Sequence, residues 1–312
     1  MASVVAGMGS SHAFAFMDPR RWDERRQVTR SRYAKRYGVE PPEHPRVAEE
    51  TTEQACERFE RTIGHGLKRL KAGLPEVRPT ALIVVGDDQD ENYQTDNLPQ
   101  FSIYLGDRVT AIDREHDITR EFACASKLAA DLLASCVESG VDMASSARFP
   151  ENRLISHAHA QVLTFLEPEM PVIPVFVNAI HVPAPSPARC YEVGQVLRQA
   201  IEALPSSERI AVYASGGLSH FTAGYPWAHY QGPESVGSIC EDFDVRIVDA
   251  MRRGRGSDLG KLSSKDLIDN GEIELRQWIV LQGLLGDQAP EWLEYQAMFR
   301  GLIGMAVGYW PC

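Results

Sequence analysis

Apolar residues along this chain follow two rhythms. Mostly apolar runs occupy residues 2–8, 80–86, 100–106, 171–179 and 209–215, most of them closed by glycine or a polar cluster. Runs of this length predict strands covered on both faces. Between them the apolar positions take up helical spacing. In residues 48–74, Ala55, Phe59, Ile63, Leu67, Leu70 and Leu74 recur at steps of three or four. That spacing predicts a helix with one apolar face, with Thr51 or Thr52 placed to cap its start. Further helices are predicted over 119–139 with Phe122, Leu128, Leu132 and Leu133 inward, over 151–166, and from Ser186-Pro187 to about Leu204. Others follow at 239–253, 264–270 and 272–286. Residues 18–47, rich in Arg, Pro and Tyr, read as a short helix and then an irregular segment closed by Pro41, Pro42 and Pro45. A loop rich in Gly, Pro and aromatics spans 221–237, and the tail to Cys312 is apolar enough to pack. The alternation of strands and helices predicts an α/β fold, a central mixed sheet flanked by helices, in a single domain over 1–312.

Composition narrows the partners. The chain has 312 residues, of which 44% are hydrophobic, so it can bury a core without disulfides or a structural metal. A net charge of −11 repels phosphate backbones and argues against nucleic acid. Six scattered cysteines form no CxxC pair, the usage of a reduced, cytoplasmic protein. The apolar start meets Asp18 and a run of arginines, lacking the basic start and cleavage site of a signal peptide. No stretch approaches the ~20 apolar residues that cross a bilayer, so no membrane partner is expected. The arginine run reads as a solvated helix face, with an inward-facing Arg that binds a substrate carboxylate as the sharper alternative.

Three polar clusters follow three of the strands: Ser10-Ser11-His12, Gly86 to Glu91, and Gly216 to His220. In open α/β sheets ligands bind at the carboxyl ends of strands. Histidines and carboxylates converging there point to a metal or acid–base site. Each cluster also has a plainer reading: a hydrogen-bonded loop histidine, an acidic turn, and a glycine turn. Ser219 departs from a nucleophile elbow, because Phe221 stands where G-x-S-x-G needs its second glycine.

Taken together the motifs carry a resemblance. An early strand ending in G-x-x-S-S-H, a later one ending in SGGLSH, the acidic D-F-D of Asp242 to Asp244, the span from Pro171 to Leu204 and the segment GEIELRQWIVLQG resemble the class III extradiol ring-cleaving dioxygenases. The resemblance runs from Val4 to about Gly286, and the insertion at 18–47 is similar to that of 3-O-methylgallate-type members more than protocatechuate-type ones. It implies an oxidoreductase that opens a catechol- or gallate-like ring with O2 at non-haem Fe(II) held by two His and one Glu. Mn(II) or Zn(II) are the alternative metals. Carried over by position, the resemblance puts metal ligands at His12, Gln89 and Asp242, with Glu241 adjacent. It makes His220 the acid–base residue and leaves a second catalytic histidine open between His157 and His159. Arg148, Arg153 and Arg189 are candidates for holding a substrate carboxylate. The implied partners are a small aromatic substrate and further copies of the chain or a small second subunit. The altered ligand positions keep two other readings open: a metal-free, non-catalytic partner subunit, and a hydrolase or ring-cleaver using another metal or substrate.

Overall fold

The computed structural model describes residues 1–150, 153–220 and 238–312. Strand β1 (Ser3–Ser10) leads through Ser11 to His12. Two short 3-10 turns then lead to α1 (Trp22–Tyr37), which ends at Gly38 with a left-handed φ of 72°. This helix has 16 residues and replaces the short one expected. The helix expected over 48–74 is two, α2 (Thr52–Arg61) and α3 (Ile63–Glu76), broken at Thr62, whose φ of −118° and ψ of −90° are not helical. The apolar face survives the break: all six predicted residues from Ala55 to Leu74 are buried. Thr51 caps α2 through a reciprocal capping box with Gln54.

Next come β2 (Ala81–Gly86), β3 (Phe101–Tyr104), and the hairpin of β4 (Arg108–Asp113) with β5 (Ile118–Ala123). The helix expected over 119–139 therefore starts late, as α4 (Ser126–Glu138). Phe122 belongs to β5, where it pairs opposite Val109. The chain continues through β6 (Ala144–Ser146), α5 (His157–Leu166), β7 (Val172–Val177), α6 (Pro187–Ala203) and β8 (Arg209–Ser215). The loop predicted over 221–237 lies outside the described residues. Then follow α7 (Glu241–Arg252), α8 (Ser264–Asp269) and α9 (Leu275–Leu285). The tail, expected only to pack, forms β9 (Trp292–Met298) and β10 (Ile303–Pro311).

The fold is α/β, with helices on both faces of a mixed sheet ordered β6-β3-β7-β2-β8-β1-β10-β9. Its centre, β7-β2-β8-β1, is parallel. The C-terminal hairpin adds antiparallel strands beside β1. One apolar layer carries Leu132, Leu197, Ile247 and Trp278 from α4, α6, α7 and α9. The opposite layer carries Trp22, Phe59, Leu67 and Leu163 from α1, α2, α3 and α5. Helices α6 and α9 approach closely because Gly194 and Gly283 face the partner's backbone, where a Cβ on either would overlap it. No described helix is long and apolar enough to cross a membrane.

The three strands that end in polar clusters, β2, β8 and β1, are neighbours in the sheet. Their carboxyl ends therefore emerge side by side, the place where α/β sheets bind ligands.

Candidate metal centre

His12, two residues past the end of β1, is buried. Its Nδ1 lies 3.3 Å from Oγ of Ser215, at the end of β8, and its Nε2 lies 3.4 Å from Oε2 of Glu274. Glu274 is the N-cap residue of α9, whose N-terminus points at the ends of the parallel strands. The backbone N–H of Gly217, in the cluster after β8, donates to its Oε2 at 2.8 Å. From the third strand, Asp87 follows β2 and is fully buried. The ligand atoms of His12, Asp87 and Glu274 all lie within 4.8 Å of one another. Gln89 bridges the two carboxylates: its Nε2 donates to Oδ2 of Asp87 and to Oε1 of Glu274, each at 3.1 Å.

Histidine 220 completes the floor. Its Nδ1 donates to the Leu218 carbonyl at 2.8 Å, which turns Nε2 toward Oε1 of Glu274 at 3.3 Å. His157 stands over His12, ring edge to ring face, with centroids 4.9 Å apart. Its Nδ1 is held by Oε2 of Glu91 at 2.7 Å, and Glu91 in turn pairs with Arg114 at 2.8 Å.

Burial and close charge set the protonation of these groups. Burial pushes His12 down to about 4, so its imidazole is neutral and can donate a lone pair. Burial, reinforced by the charge of Glu274, pushes Asp87 up to about 8. Glu274 goes the other way: burial acts to raise it, but the imidazoles of His12 and His220 and the Gly217 N–H hold it below the usual carboxylate range. His157 is raised to about 9, because Glu91 outweighs its burial. His220 is also raised, chiefly by Glu274 acting against burial. Among the described residues, Oδ1 of Asp87 is buried with no hydrogen-bond partner. An imidazole lone pair, two buried carboxylates that repel one another and an orphaned carboxylate oxygen fit a divalent cation, which would return what desolvation takes from each.

The cluster forms the floor of a cleft of about 1070 Å³. His12, Gln89, His157, His220 and Glu274 are exposed to it, whereas Asp87 sits behind them. Phe14, Ile180 and Ile303 give it apolar wall.

The structure thus gathers His12, Gln89, His157 and His220, although Gln89 meets the carboxylates with its N–H rather than its oxygen. Three expectations need correction. His159 is buried away from the cleft, its Nδ1 on Ser156 Oγ at 2.8 Å and its Nε2 on the Val175 carbonyl at 3.0 Å. Two residues apart on α5, the two histidines face different ways, and only His157 faces the site. Asp242 and Glu241 are not in the cluster either. Glu241 pairs with Arg46 at 3.2 Å near the surface, and Asp242 is exposed. The inward face of α7 begins at Phe243 and Asp244, and Asp244 is used by Ser219 and Tyr295. Arg148, Arg153 and Arg189 do not line the cleft; arginines of α1 do.

Sequence reasoning missed Glu274 and did not single out Asp87 as a ligand. The available signal was a charged residue opening a helix that is buried on every side, from Leu275 through Leu285. A carboxylate at the start of such a helix has no solvent to face.

The family described as "Catalytic LigB subunit of aromatic ring-opening dioxygenase" matches residues 44–309. Gallate dioxygenase of Pseudomonas putida is 29% identical over 122 residues, covering 39% of this chain and 30% of that protein. The 2,3-dihydroxyphenylpropionate/2,3-dihydroxicinnamic acid 1,2-dioxygenase of Comamonas testosteroni is 30% identical over 163 residues, covering 51% of this chain and 48% of that enzyme. The matched stretches thus span half or less of these curated relatives. A crystal structure of an uncharacterized protein from Escherichia coli K12 superposes with a TM-score of 0.51 at 13% identity, covering 98% of this chain and 99% of that one, and shares the fold. With the match extending over most of its length, the chain belongs to the family of catalytic LigB subunits of aromatic ring-opening dioxygenases.

Proposed function

We propose that this protein is a non-haem, metal-dependent extradiol dioxygenase that opens a catechol- or gallate-like ring with O2. The observation that carries the reading is the meeting of His12, Asp87 and Glu274 beside His220 on the floor of one cleft. In this reading His12, Asp87 and Glu274 hold the metal, Fe(II) for this chemistry, and Gln89 keeps the two carboxylates together. When bound, the metal supplies the Lewis acidity that ionises a ring diol and an open position for O2. A donor set weighted toward oxygen also accepts Mn(II), and Zn(II) less readily.

The protein groups do the proton work. The Leu218 carbonyl fixes His220 at Nδ1, so its Nε2 faces Glu274 at the cleft floor. There it takes the proton of a ring hydroxyl and returns it later, as a general base and then an acid. Glu274 holds the charge that forms on His220. His157, kept cationic by Glu91, offers a hydrogen bond to the anionic substrate oxygen. Phe14, Ile180 and Ile303 hold the ring and keep water from it.

The test is oxygen uptake by protein reconstituted anaerobically with Fe(II), Mn(II) or Zn(II) and offered catechol, gallate and 2,3-dihydroxyphenylpropionate. Uptake stoichiometric with loss of ring absorbance, together with one bound metal per chain, is expected. A chain that binds no metal and consumes no oxygen with any of these diols would overturn the reading in favour of a non-catalytic subunit.

A further inference from the structure

Helix α1 precedes the stretch matched by the family, which begins at residue 44, yet it builds one wall of the cleft. Arg21 at its N-cap and Arg25, Val28, Thr29, Arg32 and Arg36 within it line the cleft. Steps of three and four put these positions on one helix face. Four of the six are arginines, in a chain of net charge −11.

Most charges around the cleft are already matched. Arg21 pairs with Glu115 at 2.9 Å, Arg114 with Glu91 at 2.8 Å, and Lys71 and Arg120 with Glu167 at 2.9 and 2.7 Å. The other carboxylates are taken as well: Asp90 meets His181 at 3.0 Å and Asp113 meets His116 at 2.8 Å. Glu24 lies 3.8 Å from Arg21. Arg25 and Arg32 have no carboxylate within ion-pair distance among the described residues. Arg25 is half-buried, and burial and then the charges of Arg32 and Arg114 hold its pKa below the usual range. Like charges gathered on a cavity wall raise the free energy of the empty cleft and lower that of an anion bound there.

We propose that Arg25 and Arg32 form an anion-recognition subsite, which selects aromatic diols bearing a carboxylate on an arm away from the reacting ring. The diol half of this statement rests on the ring-opening reading; the anion half rests on the α1 wall alone. A cleft of about 1070 Å³ has room for the arm beyond the ring. A guanidinium presents two parallel N–H groups that match a carboxylate edge, which a neutral group of the same shape cannot use fully.

The experiment measures equilibrium binding by calorimetry of 3-phenylpropionate and its neutral amide, 3-phenylpropanamide, to the full chain. Neither probe has ring hydroxyls, so neither requires the metal or turnover. The expected result is a carboxylate bound about tenfold or more tighter than the amide, with Arg25→Gln and Arg32→Gln each reducing that ratio severalfold. Arg32 is exposed, so R32Q carries the test even if R25Q disturbs folding. Equal binding of the two probes to the unsubstituted chain, or a ratio left intact by R32Q and a folded R25Q, would overturn the proposal. Oxygen uptake by the unsubstituted chain with catechol separates the two readings: its absence would remove the ring-opening reading and leave a carboxylate preference that R32Q reduces still supporting the subsite.

Discussion

Nε2 of His220 lies 3.3 Å from Oε1 of Glu274, so the proposed proton carrier and the proposed metal ligand share one contact. Their roles come apart on substitution. Glu274→Gln removes a charge from the cation site, and metal stoichiometry after dialysis is expected to fall well below one per chain. His220→Ala leaves His12, Asp87 and Glu274 in place. It is expected to keep the metal while lowering kcat by about 10²–10⁴, the usual contribution of a positioned acid–base group. Loss of metal from H220A, read by elemental analysis, would make His220 a ligand instead.

Gln89 is predicted to matter most when no cation is present. Its amide N–H groups are what Asp87 and Glu274 share, and without them two buried carboxyl groups face each other with a donor lost. Gln89→Leu is expected to destabilise the metal-free chain by about 1–3 kcal/mol, the penalty for unsatisfied buried acceptors. A bound divalent cation takes over the bridging, so the loss should shrink in the loaded protein. Thermal melts of Q89L with and without saturating Mn(II) read this difference; equal losses in both states count against the site as drawn.

How much of this was readable beforehand differs between strand and helix positions. A strand such as β8 declares itself, because residues 210–214 are apolar without interruption and Gly216-Gly217 follow shortly after. Its polar cluster could be assigned to the sheet's carboxyl edge without knowing which neighbours it has. The carboxylate of the site was harder. D-F-D at 242–244 had the right chemistry near SGGLSH, but the phase of α7 turns Asp242 outward and spends Asp244 on Ser219 and Tyr295. Glu274 comes from a helix remote in sequence from β1 and β2, and only the packing of α9 against the sheet brings it to His12. The final hairpin was missed because β10 carries Gly304, Gly308 and Pro311, which blur the strand pattern.

Asp23 predicts an acid-sensitive tie between α1 and the C-terminal hairpin. It accepts from Arg300 at 2.7 Å and from Thr52 at 2.7 Å, and it pairs with Arg26. Burial acts to raise its pKa, but these partners win and hold it at about 2, against an ordinary 3.8. A depressed carboxylate contributes stability above its unfolded pKa and loses it as pH falls through the folded one. Asp23→Asn is therefore expected to lower stability at pH 7, with the gap between variant and parent constant down to about pH 5 and closing between about pH 4 and 2. Because the side chain is about one-third exposed, solvent screening keeps the effect near 1 kcal/mol. Urea denaturation at pH 7 and pH 3 checks it, and a gap that widens toward acid contradicts the assignment.

Gly283 connects packing to the site. A Cβ there would overlap the backbone carbonyl of Tyr191 on α6, and a backbone group cannot swing aside as a side chain can. Gly283→Ala must therefore push α9 away from α6, at a cost of about 1–3 kcal/mol or more for overpacking. The same helix carries Glu274 at its N-cap, so the displacement is transmitted along a rigid rod to Oε2, 3.4 Å from His12. G283A is thus expected to weaken metal binding as well as stability, although the residue touches no ligand. Leu284→Ala supplies the control: it removes buried apolar surface from the same helix without forcing the helices apart. Matched for stability loss, G283A should lose metal affinity by severalfold more than L284A in a competitive chelator titration. Equal affinities would mean that Glu274 is held by the Gly217 N–H and its imidazoles rather than by the seat of α9 on the sheet.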